Sequence, residues 1–340
     1  VKKVSSLKDI ASALHVSPSL VSYVLNGHAR EKRVSEAVAK KILAFAEKHN
    51  YTPNQIAKTL KTKKSHTIGL IVAEIHYRYT TGITRSIERV AKENNYTVII
   101  GNSHEDLSTL SELVNVMINR HVDGLVIVAT EDAEKEIVSL KKKGIPFVLI
   151  DRNFPKVNTN FIGIDNYQVA YNAVEYLLKQ GRRHIAFINY RTSFFHLRER
   201  NRGYYQALKE YGIKPGKSLH KEISKESVQE DVRKAILELC SNKSNCDAIF
   251  FATDTLAIQG LKNLVEEKVN IPGQIAVISF DESEAFLLFR CPITHYRQPL
   301  EEIGEKAVTL LVNNMQNRTF AKQQICLESK LIAGMSCGES

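Results

Sequence analysis

Several protein classes are excluded by what these 340 residues lack. No apolar run is long enough to cross a bilayer: the longest, such as 147–150 and 275–280, are strand-length, whereas a spanning helix needs about 20 apolar residues. The opening Val1–Ser6 leads directly into Lys8 and Asp9 without the apolar stretch of a secretion signal. The five cysteines are odd in number and show no C-x-x-C spacing, which suits a reducing compartment rather than a disulfide scaffold. A cytoplasmic chain without membrane contact is therefore expected. No G-x-G occurs, which removes the dinucleotide fingerprint, and Gly212…Gly216-Lys217-Ser218 has too few residues between its glycines for a phosphate-cradling loop. His104-Glu105 has no second histidine at zinc spacing. Gly334-Met335-Ser336-Cys337-Gly338 spells a nucleophile elbow without the downstream Asp and His that a hydrolase needs. These absences predict no enzyme, no cofactor and no metal.

Acidic residues are scarce in one region only. The net charge is +10, yet residues 1–64 carry 13 Lys and Arg against Asp9, Glu31, Glu36 and Glu47, a net of +9. The remaining chain is almost neutral. A basic head on a neutral body is the electrostatic footprint of nucleic-acid binding. A merely solubilising basic tail would lack apolar periodicity, and this segment has it. Ser6 followed by Asp9 forms a capping-box pattern ahead of Ile10, Ala11 and Leu14. Ser17-Pro18 places a capping serine before a first-turn proline, ahead of Leu20, Val21, Val24 and Leu25, with Asn26-Gly27 as a stop. Ser35 caps a third helix with Val38, Ile42, Phe45 and Ala46 on one stripe. Three short helices with a tight turn between the first two predict a helix-turn-helix.

From residue 66 onward, β-rich runs alternate with amphipathic stretches. Strands are expected at 68–72, 97–101, 125–129, 147–151, 161–164, 184–188, 248–252 and 275–280. Ile83, Ile87, Val90 and Ala91 share one helical face, and Leu110, Val114, Met117 and Ile118 another. This is the pattern of parallel α/β architecture, as one large sheet or two similar lobes.

Specific segments narrow the choice. Leu7-Lys8-Asp9-Ile10-Ala11, Val16-Ser17, Val21-Ser22, Val24-Leu25-Asn26-Gly27 and Asn50-Tyr51-Thr52-Pro53-Asn54…Ala57…Leu60 resemble the DNA-binding head and hinge of the lactose/galactose-repressor (LacI/GalR) family. In the body, Val122-Asp123-Gly124-Leu125, Gly181-Arg182-Arg183-His184-Ile185, Arg200…Gly203-Tyr204, Ala252-Thr253-Asp254 and Phe280-Asp281…Gln298-Pro299 resemble the same family's core, in order along nearly the whole chain. The resemblance implies a head over 1–53, a hinge helix and linker over 54–65, and a two-lobed core over 66–340 like a periplasmic binding protein. Its lobes would be 66–163 plus 293–323 and 164–292 plus 324–340.

The resemblance also implies which residues act. Helix two would enter the major groove and present Pro18, Ser19, Ser22 and Tyr23, with Ser6, Lys8, Ser17 and Asn26 alongside; Arg30, Lys32 and Arg33 in the loop after it are assigned to phosphates, which position a protein without reading sequence. Asn54, Ala57, Lys58 and Leu60 would form the hinge, with Leu60 wedged into a base step. The effector cleft would draw on Tyr79, Asp151, Arg200, Thr253 and Asp281, joined by Phe194 and Arg191 from the loop after 184–188. An Asp-plus-Arg set with an aromatic wall suits a carbohydrate. His15 stands where the family favours glycine, Tyr23 where arginine is common, and Thr253 where asparagine is usual. The expectation is a homodimeric, effector-controlled regulator on a pseudo-palindromic operator in double-stranded DNA. The competing readings are a sugar-binding or sugar-processing α/β protein with a basic extension, and an architectural DNA-bending protein.

Overall fold

Three serines start the three helices of the basic head in the computed structural model, which describes residues 6–51, 64–214, 216–241, 244–317 and 322–338. Helix α1 (Leu7–Leu14) begins at Ser6, whose hydroxyl accepts from the Asp9 amide while the Asp9 carboxylate accepts from the Ser6 amide, a complete capping box. Helix α2 (Pro18–Leu25) begins at Ser17, whose Oγ accepts from the Leu20 amide. Helix α3 (Glu36–Lys48) begins at Ser35 in the same way. His15 closes α1 in the left-handed conformation, φ 56°. This is the backbone state that the glycine of the family supplies without strain and that histidine tolerates. The head has its own small core of Ile10, Ala11, Val21, Val24, Ile42 and Ala46. It separates from the body at residue 65.

Among the described residues, the body holds two six-stranded sheets. The first contains β1 (Thr67–Val72), β2 (Thr97–Asn102), β3 (Gly124–Ile127), β4 (Phe147–Ile150), β5 (Phe161–Ile164) and β11 (Gln324–Leu327), in spatial order β11-β5-β4-β3-β1-β2, all parallel. The second contains β6 (Ile185–Tyr190), β7 (His220–Ile223), β8 (Ala248–Phe251), β9 (Ala276–Ser279), β10 (Thr294–Arg297) and β12 (Lys330–Ile332), in order β12-β10-β9-β8-β6-β7. Its strands are parallel except β12, which runs against β10. Each sheet starts one strand in from an edge, steps outward to that edge and then reverses across the sheet. Such a reversal opens a crevice beyond the strands' carboxyl ends.

Helices cover both faces, and strand periodicity decides which residue meets which helix. Ile68, Leu70 and Val72 join one core, whereas Ile71, Leu125 and Ile127 join another on the opposite face of the sheet. Helix α4 (Arg78–Glu93) buries Ile83, Ile87, Val90 and Ala91, and α5 (Leu107–Asn119) buries Leu110, Val114 and Met117. Helix α6 (Glu134–Lys142) lies on the same face as α5, its Ile137 and Leu140 joining the same core, while α4 covers the other face. The second lobe is dressed by α7 (Asn166–Lys179), α8 (Phe195–Glu210), α9 (Val228–Cys240) and α10 (Asp254–Glu266). Helix α11 (Leu300–Gln316) returns to the first lobe.

Two of the three crossings lie further along than the resemblance implied. Segment 294–297 belongs to the second lobe, because β10 pairs with β9. Segment 324–327 belongs to the first, because β11 pairs with β5. The returns therefore fall after 297 and after 327, not near 292 and 323. These strands are short and partly exposed, so their sequence carries little apolar alternation, and only the ladder partner assigns them.

Candidate functional site

In the head, α2 turns Val21 and Val24 inward, leaving Pro18, Ser19 and Tyr23 exposed and Ser22 half-buried. Lys8, Ser17, Asn26, Arg30, Lys32 and Arg33 are exposed too, and Ser6 is half-buried. Three assignments carry a structural duty: Ser6 and Ser17 are helix caps, and Asn26 Nδ2 donates to the Ser22 carbonyl at 2.7 Å, closing α2. Lys32 Nζ sits 5.7 Å from the centre of the Tyr23 ring, so the loop cation and the helix aromatic form one surface feature. Asn54, Ala57, Lys58 and Leu60 lie outside the described residues.

In the body, the strands' carboxyl ends enclose a cavity of about 500 Å³ between the lobes. Tyr79, Asp151, Phe194, Arg200, Thr253 and Asp281 all line it. Arg200 anchors the second-lobe wall from α8. It is 3% exposed, and its Nε donates to Asn166 Oδ1 at 2.9 Å. Its Nη1 donates to the Ala252 carbonyl and lies 3.5 Å from Asp281 Oδ2, while its guanidinium carbon stacks 3.4 Å from the Phe280 ring centre. Gln298 Nε2 donates to the other Asp281 oxygen at 2.6 Å. Burial lowers the Arg200 pKa against the pull of Asp281 and Asp151.

The first-lobe wall is equally charged. Asp151 directly follows β4 in the left-handed region, φ 65°, a strained state for a non-glycine residue. Burial pushes its carboxyl up, opposed by Arg152 and Arg200. Arg152 grips Glu105 with two 2.7 Å hydrogen bonds and also donates to the Ala129 carbonyl at 3.1 Å. Its Nε stands 3.3 Å from Asp151 Oδ2 without making a hydrogen bond. The buried Tyr79 hydroxyl has no partner either; burial and then Asp151 hold it far above the ordinary phenol range. Burial, with Arg200, Arg152 and Lys225 nearby, keeps His196 neutral.

Two clasps join the lobes at the rim of this cavity. Arg78 Nη2 donates to Glu282 Oε1 at 2.7 Å. On the other side, Glu131 accepts from the Thr192 hydroxyl at 2.6 Å and from the Ser193 amide, and pairs with Lys225 at 3.2 Å. Burial would raise the Glu131 carboxyl, but these three donors bring it down to about 2. The Phe194 ring lies between Arg152 and Lys225, 4.3 Å from each.

Arg191 does not join this set. It leaves β6 on the outer side, pairs loosely with Glu222 at 3.8 Å, is 71% exposed, and lines a separate surface depression with His220 and Lys221. Strand alternation explains the miss: a loop position one or two residues from the cleft points to either side. Arg152, Glu105, Lys225 and Asp254 line the cleft without having been singled out. Asp151-Arg152 and Thr253-Asp254 each place a second charge beside a chosen residue, which was the available signal. Glu105 is joined to its partner only by the fold.

The head and the cleft have known counterparts. Residues 6–54 match the family described as "Bacterial regulatory proteins, lacI family", and residues 174–337 match a "Periplasmic binding protein-like domain". The chain is 30% identical over 318 residues to the "Probable HTH-type transcriptional regulator EndR" of Paenibacillus polymyxa, covering 93% of this chain and 92% of that protein.

The chain belongs to the LacI family of bacterial regulatory proteins.

It is 28% identical to the catabolite control protein A of Priestia megaterium, covering 96% of this chain and 97% of that protein. Against the ribose operon repressor of Escherichia coli K12 the figures are 27%, 95% and 97%. The fold agrees with that of the lac repressor dimer bound to operator and an anti-inducer, with TM-score 0.86, 21% identity, and coverage of 98% of this chain and 99% of that one. It also agrees with a CelR–cellobiose complex, with TM-score 0.72, 24% identity, and coverage of 97% and 99%. The LacI-family head and the periplasmic-binding-protein-like core are thus those of a DNA-binding transcription regulator. Among the described residues, no helix is long and apolar enough to cross a membrane.

Proposed function

We propose that the protein acts as a homodimer on a pseudo-palindromic operator, with a polyhydroxylated small molecule, a carbohydrate, in the interlobe cleft as its effector. The observation that carries this reading is the cleft itself: a cavity of about 500 Å³ with a buried Arg–Asp pair, a neutral histidine and a partnerless tyrosine hydroxyl, in the same chain as an exposed helix-turn-helix face. Charged side chains bind hydroxyls directionally, and the Phe194 ring offers a surface for an apolar sugar face. Tyr79, Asp151, Arg200, Thr253 and Asp281 are the proposed effector contacts. Pro18, Ser19, Ser22 and Tyr23 are the proposed groove contacts, and Lys8, Arg30, Lys32 and Arg33 the phosphate contacts. Dimerisation is supported by apolar side chains left uncovered in one copy, Leu287 at 86% and Leu288 at 89% exposure, with Ile99 and Ile100 on the edge strand β2. The effector would act by changing lobe closure, and can do so only by its differential affinity for the two closures.

The test is anisotropy of the full chain on operator and random duplexes across a salt series. Affinity is expected to fall steeply with salt on both, with operator preference persisting at moderate salt. Sedimentation should give a dimer, and Leu60→Gly should abolish operator preference while sparing weak binding to random duplex. A monomer that ignores DNA at low salt would end this reading.

A further inference from the structure

The cations of the cleft are already matched from within the protein. Arg152 is held two-pronged by Glu105, Arg78 by Glu282, Lys225 by Glu131, and Arg200 faces Asp281. Two carboxylates remain that no such pair uses up. Asp151 meets Arg152 only at the 3.3 Å contact that forms no hydrogen bond. Asp254, at the first turn of α10, accepts from its own neighbour Thr255, from the amide at 2.8 Å and the hydroxyl at 3.5 Å. Burial and then Asp281 push the Asp254 carboxyl up to about 6. An anion entering this space would meet cations that each already face a carboxylate, and two further carboxylates, Asp151 and Asp254, beyond those pairs. A hydroxyl or ammonium group would instead find free acceptors, with the Tyr79 hydroxyl as a further polar partner.

We propose that the cleft selects a donor-rich ligand carrying no negative charge, a neutral or amine-bearing polyol, and that Asp254 is the specificity-determining residue that rejects phosphorylated sugars and other anions. The inference rests on the reading of this cleft as the effector site and says which members of the sugar class it takes. Rejection by an unpaired like charge is a standard source of discrimination, because it acts only on the wrong ligand. It also assigns a task to a cleft carboxylate whose side-chain hydrogen bonds, among the described residues, run to its own neighbour Thr255.

The test is thermal shift and calorimetry on the full chain with three matched sets at pH 8: neutral hexoses, pentoses and cellobiose; their amino-sugar counterparts; and their phosphate esters. Inorganic phosphate and sulfate are run against chloride at equal ionic strength. For whichever sugar binds, the phosphate ester is expected to bind at least tenfold more weakly, and Asp254→Asn to shrink that ratio severalfold. Inorganic phosphate should protect the wild type no better than chloride, but protect Asp254→Asn measurably. The ligand-free melt of Asp254→Asn establishes folding, and Asp254→Ser serves as the second variant. A phosphate ester or inorganic phosphate that binds the wild type best, or an unchanged ratio in Asp254→Asn, would overturn the proposal. If no sugar of any set binds, the carbohydrate reading fails alone; the inorganic-ion comparison between wild type and Asp254→Asn still decides the charge claim.

Discussion

Replacing Arg200 by methionine should damage the fold before it damages signalling. The guanidinium is 3% exposed and serves Asn166, the Ala252 carbonyl, Asp281 and the Phe280 ring at once. Methionine fills part of the volume but leaves the Asn166 oxygen and the Ala252 carbonyl without their donor, and leaves Asp281 with Gln298. Removing one member of a buried ion pair costs about 3–5 kcal/mol, more than removing both. At about 2–4 °C per kcal/mol for a large domain, the melting point of the body should fall by roughly 6–20 °C. Urea unfolding of Arg200→Met, Asp281→Asn and the double variant measures the effect; the double should be less unstable than the sum by about 1–3 kcal/mol. A single variant within about 1 kcal/mol of wild type, or a strictly additive double, would refute the network described here.

Two further substitutions probe packing and closure. A Cβ on Gly203 would lie 2.3 Å from the Tyr167 carbonyl and 2.9 Å from the Tyr171 amide, so α7 and α8 must separate. Gly203→Ala should cost about 1–3 kcal/mol by thermal melt, opposite in sign to the gain of about 1 kcal/mol that alanine normally brings to a helix interior; a stabilised variant would show that these helices have room. Glu131→Gln should loosen the Thr192–Ser193–Lys225 clasp and shift ligand-free protein toward open lobes by on the order of 1 kcal/mol, visible as a larger radius of gyration in small-angle scattering. Because the Glu131 carboxyl is lowered to about 2, the clasp should hold at neutral pH and weaken only as the pH falls below the ordinary carboxylate range toward 2. Unchanged scattering in the variant would remove the clasp from the closure mechanism.

Local chemistry made the head legible. Ser6, Ser17 and Ser35 each start a helix because a hydroxyl at that position satisfies an amide that the helix cannot, and this depends on no distant residue. The core strands were legible for a related reason: strands buried on both faces must be apolar throughout, as 147–150 and 161–164 are. β7, β10, β11 and β12 were not, since half-exposed strands of three or four residues have no such compulsion and are fixed by their ladder partners. The cleft divides the same way. Residue type and motif pointed to Tyr79, Asp151, Arg200, Thr253 and Asp281, whereas the pairing of Arg152 with Glu105 and of Glu131 with Lys225 joins residues far apart in the chain. The same uncertainty sent Arg191 to the outer face. Sequence alone therefore determined that a basic three-helix head precedes a two-lobed α/β body. Tertiary structure decided which charges are spent on one another and which remain for a ligand, because that balance depends on distances of a few ångströms between side chains that meet only after both sheets have formed.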